Sequence, residues 1–346
     1  MTAGQATRAV TGIKPTGAPH LGNWVGMIVP ALELARSHQA VYFIADGHAL
    51  TAVRDPSELA RRTREAAATW LALGLDPERE LLYRQSDVPE VFELAWVLAC
   101  STPKGLLNRA HAYKAAVDAN LAAGRAADDG VNAGLYGYPV LMAADILLFE
   151  AGAVPVGQDQ RQHVEVARDV AAAFNAAYGP VLTLPEPVIR PDVATLPGLD
   201  GRKMSKSYGN TIPVFAPPAE LRRLVMRIVT DSRGRAEPKD PGACTVFALY
   251  RLLADPAEVA AMRAAYLDGA VGYAEAKRAL ADVLDRTLGP ARAAYQGLLA
   301  DPGRIETVLG AGAARARALA APLLDRVRAA VGLGPRFLRG GAARPP

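Results

Sequence analysis

The sequence predicts an α/β protein in which a doubly wound parallel sheet, over residues 1–215, is followed by an all-helical part, over residues 216–332. Two observations support this prediction. Short β-branched or aromatic runs alternate with longer helical patterns in the first part, whereas the strand signals stop after Phe215. The length of 346 residues also exceeds the usual size of one domain, so we expect two domains, each with its own apolar core.

The first hundred residues contain three predicted strands, at Arg8–Ile13, Val41–Ala45 and Leu81–Gln85. Between the last two, Asp55 offers a helix N-cap, Pro56 a first-turn proline and Gly74 a helix stop. Strands separated by helices of this length require crossover connections, and the sheet is therefore expected to be parallel. Further along, we expect a helix, a short strand and a second helix, at about Pro139–Phe149, Ala153–Val156 and Gln160–Phe174.

The part after Phe215 is rich in Ala, Leu and Arg with helical spacing. Its helices are predicted to break at four turn-forming runs, at residues 240–242, 255–256, 289–290 and 301–302. Residues 333–346 are rich in Gly, Pro and Arg, and we expect them to form a flexible tail.

Charge is unevenly distributed between the two parts. Residues 1–215 hold 19 Lys and Arg against 22 Asp and Glu, whereas residues 216–346 hold 20 against 13. The helical part could therefore face a polyanion such as RNA. The alternative is compositional, because Arg- and Ala-rich helices are common in proteins from high-GC genomes.

The composition also excludes several classes of protein. No apolar run reaches the roughly 18 residues that a membrane span requires, and residues 1–10 lack the pattern of a signal peptide. Cys100 and Cys244 are too few and too far apart for a disulfide framework or a metal cluster. We therefore expect a cytoplasmic protein, without membrane partner or metal-binding side chains, whose two thiols are reduced and buried.

A first candidate motif, residues 11–23, leaves the first strand through a Gly- and Pro-containing loop and enters a helix. Such a turn presents free backbone N–H groups and a helix N-terminus to an anion, and its glycines let a phosphate approach the backbone. The alternative is an ordinary strand-to-helix loop.

A second candidate motif, residues 201–210, places Lys203 and Lys206 three residues apart in a loop with small hydroxyl residues. Two ammonium groups can neutralise a pyrophosphate leaving group, on which charge grows as the bond breaks. Taken alone, such a string is more often a solvated basic loop.

Together, the two motifs resemble the signatures of the class I aminoacyl-tRNA synthetases. Pro19-His20-Leu21-Gly22-Asn23 is similar to the first signature, HIGH, and Lys203-Met204-Ser205-Lys206-Ser207 matches the second, KMSKS. Between them, residues 136–147 and 154–160 resemble the tryptophan and tyrosine branch, whose bacterial tryptophan members can be followed over residues 8–332.

This resemblance implies a Rossmann-like catalytic domain over residues 1–215, with a helical insertion at about 103–150 that helps to form a homodimer, and a tRNA anticodon-binding domain over residues 216–332. It implies ATP as a substrate, Mg²⁺ as a cofactor, and L-tryptophan and tRNA(Trp) as partners. The four catalytic residues that it implies are His20, Lys203, Ser205 and Lys206. The residues that it assigns to ATP are Lys14, Pro15, Thr16, His20, Gly22, Asn23, Gly157, Gln158, Asp159, Lys203, Met204, Ser205, Lys206 and Ser207.

Asp145 is the candidate for recognition of the substrate ring. It lies in a helix that is apolar from Pro139 to Phe149, and an ionised carboxylate buried there is costly unless a specific donor pairs with it. An indole N–H would be such a donor. The alternative is an Asp145 that faces solvent or holds the neighbouring backbone. The resemblance places six side chains around the same ring and Gln160 near the substrate; the six are Val10, His48, Tyr138, Met142, Val154 and Val156. For Met142, a plain core role is the alternative.

Val10 favours tryptophan over tyrosine. Tyrosine enzymes of the branch carry a Tyr at this position, whose hydroxyl meets the substrate hydroxyl, and a valine cannot make that hydrogen bond. A substrate hydroxyl left unpaired in a closed pocket costs about 1–3 kcal/mol. We therefore expect an enzyme that joins tryptophan to tRNA through an adenylate; the alternative is the tyrosine enzyme.

Three features qualify the resemblance. Lys14 stands where many members have Gln, and His20 where many have Thr. Lys114 matches a position near a lysine associated with pyrophosphate, although a surface lysine is an equal interpretation. A small-molecule adenylyltransferase, or a paralogue that binds RNA without catalysis, would be the rival functions; the intact second signature and the basic helical part argue against them.

Overall fold

The computed structural model describes residues 8–155, 161–188 and 196–334. The described strands form one parallel sheet in the order β3-β2-β1-β4-β5. The change of direction in this order falls between β1 and β4, which is where open α/β sheets bind their ligands. The strands are β1 (Arg8–Ile13), β2 (Gln39–Ile44), β3 (Leu81–Arg84), β4 (Ala153–Pro155) and β5 (Glu186–Val188).

The helices surround this sheet, and the described residues after Phe215 contain helices and loops but no strand. In the first half they are α1 (Leu21–Asn23), α2 (Val29–Leu34), α3 (Asp46–Ala49), α4 (Pro56–Ala72), α5 (Glu90–Ala99), α6 (Lys104–Asn108), α7 (His111–Ala122), α8 (Ala133–Leu147) and α9 (Arg161–Tyr178). In the second half they are α10 (Pro218–Met226), α11 (Thr245–Tyr250), α12 (Pro256–Leu267), α13 (Tyr273–Ala300) and α14 (Pro302–Val331). The wider turn Trp24–Ile28, of the π type, joins α1 to α2.

The predicted fold class is confirmed, and so are several local signals. The Asp55 side chain caps α4 by accepting the Ser57 N–H at 2.8 Å, and Gly74 follows the helix with a positive φ of 106°. The predicted breaks at Asp255-Pro256 and Asp301-Pro302 are the starts of α12 and α14.

Two helix boundaries were predicted wrongly, in both cases because of a proline. α8 begins at Ala133, capped by Asn132, and Pro139 lies inside it. Gly289-Pro290 lies within α13 instead of ending it. An internal proline costs about 3 kcal/mol, and the burial of α8 against α5 and α9, and of α13 against α4 and α10, outweighs that cost.

The expectation of a separate core for each half is wrong. Successive residues of a strand face opposite sides of the sheet, and the two apolar clusters divide in that way, one with Tyr42 and the other with Val41 and Phe43. Helical residues after Phe215 contribute to both clusters. Gly312 of α14 lies so close to β3 that an added Cβ would be 1.7 Å from the Leu82 carbonyl oxygen. The boundary at residues 215–216 stays a prediction.

Two smaller expectations can be compared with the structure. Cys244 is buried, as predicted, but Cys100 is exposed at the end of α5, so that prediction is wrong for one of the two thiols. None of the helices in the described ranges is long and apolar enough to cross a membrane.

Candidate active site

The first signature loop joins β1 to α1 at the carboxyl edge of the sheet. The His20 N–H donates to the side-chain oxygen of Asn23 at 3.2 Å, which fixes the start of α1. The loop is also held by the segment that follows the second signature, because the Leu21 N–H donates to the Ile212 carbonyl at 2.9 Å and the Val214 N–H to the Pro19 carbonyl at 3.0 Å. The fold therefore brings the two sequence motifs together.

His20 is buried beneath this loop and is held neutral. Burial, and then the positive charge of Lys206, lower the pKa of His20 to about 4. Its Nδ1 atom has no hydrogen-bond partner among the described residues. A Cβ added to Gly22 would lie 2.9 Å from the imidazole ring, so only glycine leaves room for this histidine. A neutral imidazole can donate from one ring nitrogen and accept at the other.

Asn210 organises the second signature loop. Its buried side chain accepts the Ser205 N–H at 2.8 Å and donates to the Lys203 carbonyl at 3.0 Å and to the Asp200 carboxylate at 2.7 Å. Met204 is buried in the apolar cluster that contains Tyr42 and anchors the loop. The Lys203 and Lys206 side chains are consequently presented on the solvent side of a fixed backbone.

Two lysines, one in each signature loop, lie without anionic partners among the described residues, and the charge of Lys206 acts on His20. Lys206 Nζ donates to the Thr16 carbonyl at 3.1 Å, and Lys14 Nζ to the Thr51 hydroxyl at 3.1 Å. Burial lowers the pKa of both ammonium groups, and for Lys206 the charge of Arg62 adds to this effect. Within the described ranges, neither forms an ion pair with a carboxylate. Cations held in this way beside a helix N-terminus provide a site for an anion.

Asp145 is fully buried on α8 and is held by two side chains. Its Oδ2 accepts from His48 Nε2 at 2.9 Å, and Gln85 Nε2 lies 2.7 Å from Oδ1 and 2.9 Å from Oδ2. Burial raises the pKa of Asp145, an effect that the His48 and Gln85 hydrogen bonds oppose. The alternative of a solvent-facing Asp145 is thus wrong.

Aromatic and apolar groups surround the Asp145 region. The Tyr138 ring lies 6.3 Å from the His48 ring and 5.8 Å from the His163 ring. Val10 and Val154 are buried in the cluster that contains Val41, and the half-buried Met142 packs against it. This position of Met142 is compatible with both its predicted role and its alternative in the core.

Not all of the predicted site residues lie in the part of the chain that the structure describes. Val156, Gly157, Gln158, Asp159 and Gln160 lie outside the described residues. Lys114 is exposed on α7, and its assignment to pyrophosphate stays a prediction.

Sequence reasoning did not identify the groups that hold the site together. Gln85 had been predicted only as the end of a strand, although its place at the carboxyl end of β3 is a position typical of ligand contacts. Asp46 anchors α3 to the same edge by accepting from the backbone N–H of Ser86 at 3.0 Å and from its hydroxyl at 2.5 Å. Thr51 donates to the His48 carbonyl at 2.8 Å.

The acidic side chains of the described ranges do not form a magnesium site. No group of three or more His, Cys, Asp or Glu in these ranges is arranged to hold a metal ion. The association of Mg²⁺ with ATP stays a prediction.

Comparison with known proteins agrees with this arrangement. The family "tRNA synthetases class I (W and Y)" matches residues 2–289. A relative from Xanthomonas axonopodis pv. citri named tryptophan--tRNA ligase is 56% identical over 331 residues, which are 94% of this chain and 76% of the relative. One from Pseudomonas aeruginosa with the same name is 55% identical over 94% of this chain and 74% of its own length.

Solved structures extend the agreement to the fold. A crystal structure of tryptophanyl-tRNA synthetase from Campylobacter jejuni, complexed with ADP and tryptophan, superimposes with a TM-score of 0.87 at 40% identity and covers 94% of this chain and 100% of that chain. The enzyme from Mycoplasma pneumoniae gives 0.79 at 27% identity, over 97% and 100%. On the evidence of the matched family and of relatives that share more than half of their residues with it, this chain belongs to the class I tRNA synthetases of the tryptophan and tyrosine branch.

Proposed function

We propose that this chain is a tryptophan--tRNA ligase, which forms tryptophanyl-adenylate from L-tryptophan and ATP and then transfers the amino acid to tRNA(Trp). The observation that carries the proposal is the pairing of two sites at one edge of the sheet. On one side Asp145 is fully buried beside the His48 ring, which itself lies 6.3 Å from the Tyr138 ring. On the other side Lys14 and Lys206 form no ion pair with a carboxylate of the described ranges, and burial lowers the pKa of both ammonium groups. The names of the relatives and the ADP and tryptophan of the Campylobacter jejuni complex support it.

In the first step, the tryptophan carboxylate attacks the α-phosphorus of ATP. The carboxylate is already ionised at neutral pH, so no general base is needed. A new C–O–P bond forms as the bond between the α-phosphorus and the bridging oxygen breaks, and pyrophosphate leaves with the bonding electrons. Catalysis is then positioning and charge stabilisation. Lys203 and Lys206 neutralise the leaving pyrophosphate, Lys14 adds a third cation, and the neutral His20 donates a hydrogen bond to a phosphate oxygen.

The remaining loop residues complete the ATP site in this proposal. Gly22, at the start of α1, approaches the phosphates through its backbone N–H, whereas the Asn23 N–H donates to the His20 carbonyl at 2.9 Å and Asn23 shapes the loop through its side chain. Pro15 and Thr16 form the loop wall. Ser205 and Ser207 supply hydroxyl groups beside the two lysines of the second signature.

Asp145 and Val10 support tryptophan as the amino acid. An ionised Asp145 accepts an indole N–H but cannot donate, and Val10 offers no partner to a phenolic hydroxyl. His48 Nε2 holds the Asp145 carboxylate at 2.9 Å. In this proposal, the indole ring lies against Tyr138 and Met142, which are on α8 with Asp145. A tyrosine substrate would leave its hydroxyl unpaired at the Val10 wall, at a cost of about 1–3 kcal/mol.

In the second step, a ribose hydroxyl of the terminal tRNA adenosine attacks the carbonyl carbon of the mixed anhydride and expels AMP. The excess of basic residues after residue 215 supports tRNA contact, with residues 216–332 as the anticodon-binding part. We place this reaction in the cytoplasm.

We also propose that the active form is an isologous homodimer. Large apolar side chains are exposed on the helices of the predicted insertion and on α5 beside it; Trp96 is 72% exposed and Leu121 58% exposed. A second copy of this chain would cover such groups. Sedimentation at micromolar concentration should show a dimer, and a fully active monomer would contradict this proposal.

The substitution Asp145→Asn tests the assignment of the ring pocket. An amide replaces a charge-assisted hydrogen bond by a neutral one, so the KM for tryptophan in ATP–pyrophosphate exchange should rise about tenfold. The KM for ATP should stay within twofold. An isostere without the N–H, β-(benzothiophen-3-yl)alanine, should hardly be affected. An equal loss with both amino acids would assign Asp145 to the fold instead of to the ring.

A further inference from the structure

Gln85 is a fully buried side chain that contacts both oxygens of Asp145. Its Nε2 lies 2.7 Å from Oδ1 and 2.9 Å from Oδ2. The amide must present its nitrogen to the carboxylate, because two oxygens in contact would repel each other. This orientation leaves Gln85 Oε1 buried without a hydrogen-bond partner among the described residues. An unpaired buried acceptor is unfavourable and requires an explanation.

The hydrogen bonds of Asp145 leave one acceptor position open. Oδ2 receives both His48 Nε2 and Gln85 Nε2, whereas Oδ1 receives Gln85 Nε2 alone. Each carboxylate oxygen can accept about two hydrogen bonds. The side chain cannot rotate to offer another oxygen without breaking these contacts, so the direction of the remaining lone pair on Oδ1 is fixed.

From these contacts we propose that Gln85 is a positioning residue for ring recognition: its amide fixes the Asp145 carboxylate so that the open lone pair of Oδ1 accepts the indole N–H. This inference rests on the proposed function. It accounts for the unpaired Oε1 as a consequence of directing the Gln85 amide nitrogen to Asp145. Gln85 itself touches no substrate atom in this proposal.

The surroundings of Asp145 make the loss of this amide visible in a pH profile. Burial raises the pKa of Asp145, the nearby Asp46 adds to this, and the Gln85 and His48 hydrogen bonds oppose it. The buried Tyr83 hydroxyl, from β3, also lies within the electrostatic influence of Asp145. On the other packed elements, His163 of α9 faces the Tyr138 ring, and Glu90 and Glu93 of α5 are paired with arginines of α14.

Two substitutions of Gln85 should change this profile in opposite directions. Gln85→Met keeps the volume but removes the donor, so Asp145 binds a proton at higher pH than in the wild type, and the KM for tryptophan should rise by up to about tenfold as the pH falls. Gln85→Glu places a second carboxylate beside Asp145, so the KM should be about tenfold raised at pH 8. It should recover as pH falls, because a protonated Glu can again donate.

The experiment is tryptophan-dependent ATP–pyrophosphate exchange from pH 6 to 8 with the full-length wild type and both variants. It is repeated with β-(benzothiophen-3-yl)alanine, whose KM should show neither slope. Asn120→Leu is the matched control, since Asn120 is a buried amide whose bonds go to the carbonyls of Ala127 and Asp129. It should lower the unfolding temperature but leave the pH profile as in the wild type.

The inference is supported if the KM for tryptophan changes with pH in opposite directions in the two variants and the KM for the isostere does not. Two variants with the wild-type slope, or equal changes with the isostere, would overturn it. Suppose that Asp145→Asn raises the KM for tryptophan but not that for the isostere, while the Gln85 variants behave as wild type. The proposed function then stands and the role of Gln85 is refuted. If the wild type shows no tryptophan-dependent exchange, the proposed function itself fails.

Discussion

Replacement of Lys206 by methionine should slow adenylate formation while leaving tryptophan binding nearly unchanged. Methionine keeps much of the aliphatic stem of Lys206 and removes its charge, which lies beside His20 and donates to the Thr16 carbonyl at 3.1 Å. In the proposed reaction, negative charge on the leaving pyrophosphate increases in the transition state. An ammonium group at this place therefore stabilises the transition state more than the bound substrates.

The size of the effect follows from Coulomb's law. A unit charge 4 Å from another contributes about 4 kcal/mol at an effective dielectric constant of 20. Transfer of half to one unit of charge would then be worth about 2–4 kcal/mol. Because the Lys206 side chain is exposed and partly screened by water, we take the lower half of this range. The single-turnover rate should fall roughly thirtyfold to a hundred-and-sixtyfold.

The assay is single-turnover formation of the adenylate, with tryptophan binding measured separately. Lys277→Met is a matched control, because Lys277 Nζ also donates to a backbone carbonyl, that of Met226, at 3.2 Å, and burial also lowers its pKa. The wild-type rate should fall as pH rises through the lowered pKa of Lys206, below the ordinary value of 10.5. The alkaline decrease should be smaller in the variant, in which Lys14, whose pKa burial also lowers, remains as a titrating cation. A wild-type rate in Lys206→Met would refute the assignment.

Two further predictions concern the fold and its acid stability. Gly312→Ala should destabilise the protein by about 3 kcal/mol or more in urea unfolding, because its Cβ would lie 1.7 Å from the Leu82 carbonyl oxygen. Gly310→Ala is the control: its Cβ would have no atom within 4 Å, so it should be neutral or slightly stabilising. Equal effects of the two substitutions would contradict the packing of α14 on β3. His20 binds a proton near pH 6.5 when unfolded but near 4 when folded, so its contribution to stability is present above 6.5 and decreases as pH falls toward 4. His20→Asn should make this acid loss smaller, and an unchanged pH dependence would show that His20 is not held neutral.

The sequence allowed correct prediction of features that depend on neighbouring residues. The bounds of β1 were predicted as observed, and the Asp55 cap and the starts of α12 and α14 follow from local turn chemistry. The short β5 was not predicted, because its sequence, Glu-Pro-Val, has a central proline and no run of β-branched or aromatic residues. The two internal prolines misled the prediction, since the burial that keeps α8 and α13 continuous comes from distant helices.

In the candidate site, too, local sequence features were predictable and long-range contacts were not. The two signatures and Asp145 were recognisable from residue types and spacing. The contacts that hold them were not, because Gln85 is 60 residues from Asp145 in sequence and Lys206 is 190 residues from Thr16. No periodicity within one helix or strand reports on such a pair. The sheet order brings the ends of β1, β2 and β3 together, the packing of α8 places Asp145 there, and the backbone pairing of the two signature segments brings Lys206 to Thr16.

The central claim is tested most directly by ATP–pyrophosphate exchange with each of the twenty amino acids in turn. Exchange depends on formation of the adenylate and on nothing that the tRNA supplies, so it reports on the pocket around Asp145 and on the phosphate site together. We expect tryptophan to support exchange, with tyrosine and phenylalanine far weaker, because Val10 offers no partner to a hydroxyl and phenylalanine has no N–H for Asp145. Exchange with tyrosine equal to that with tryptophan, or no exchange with any amino acid, would contradict this account.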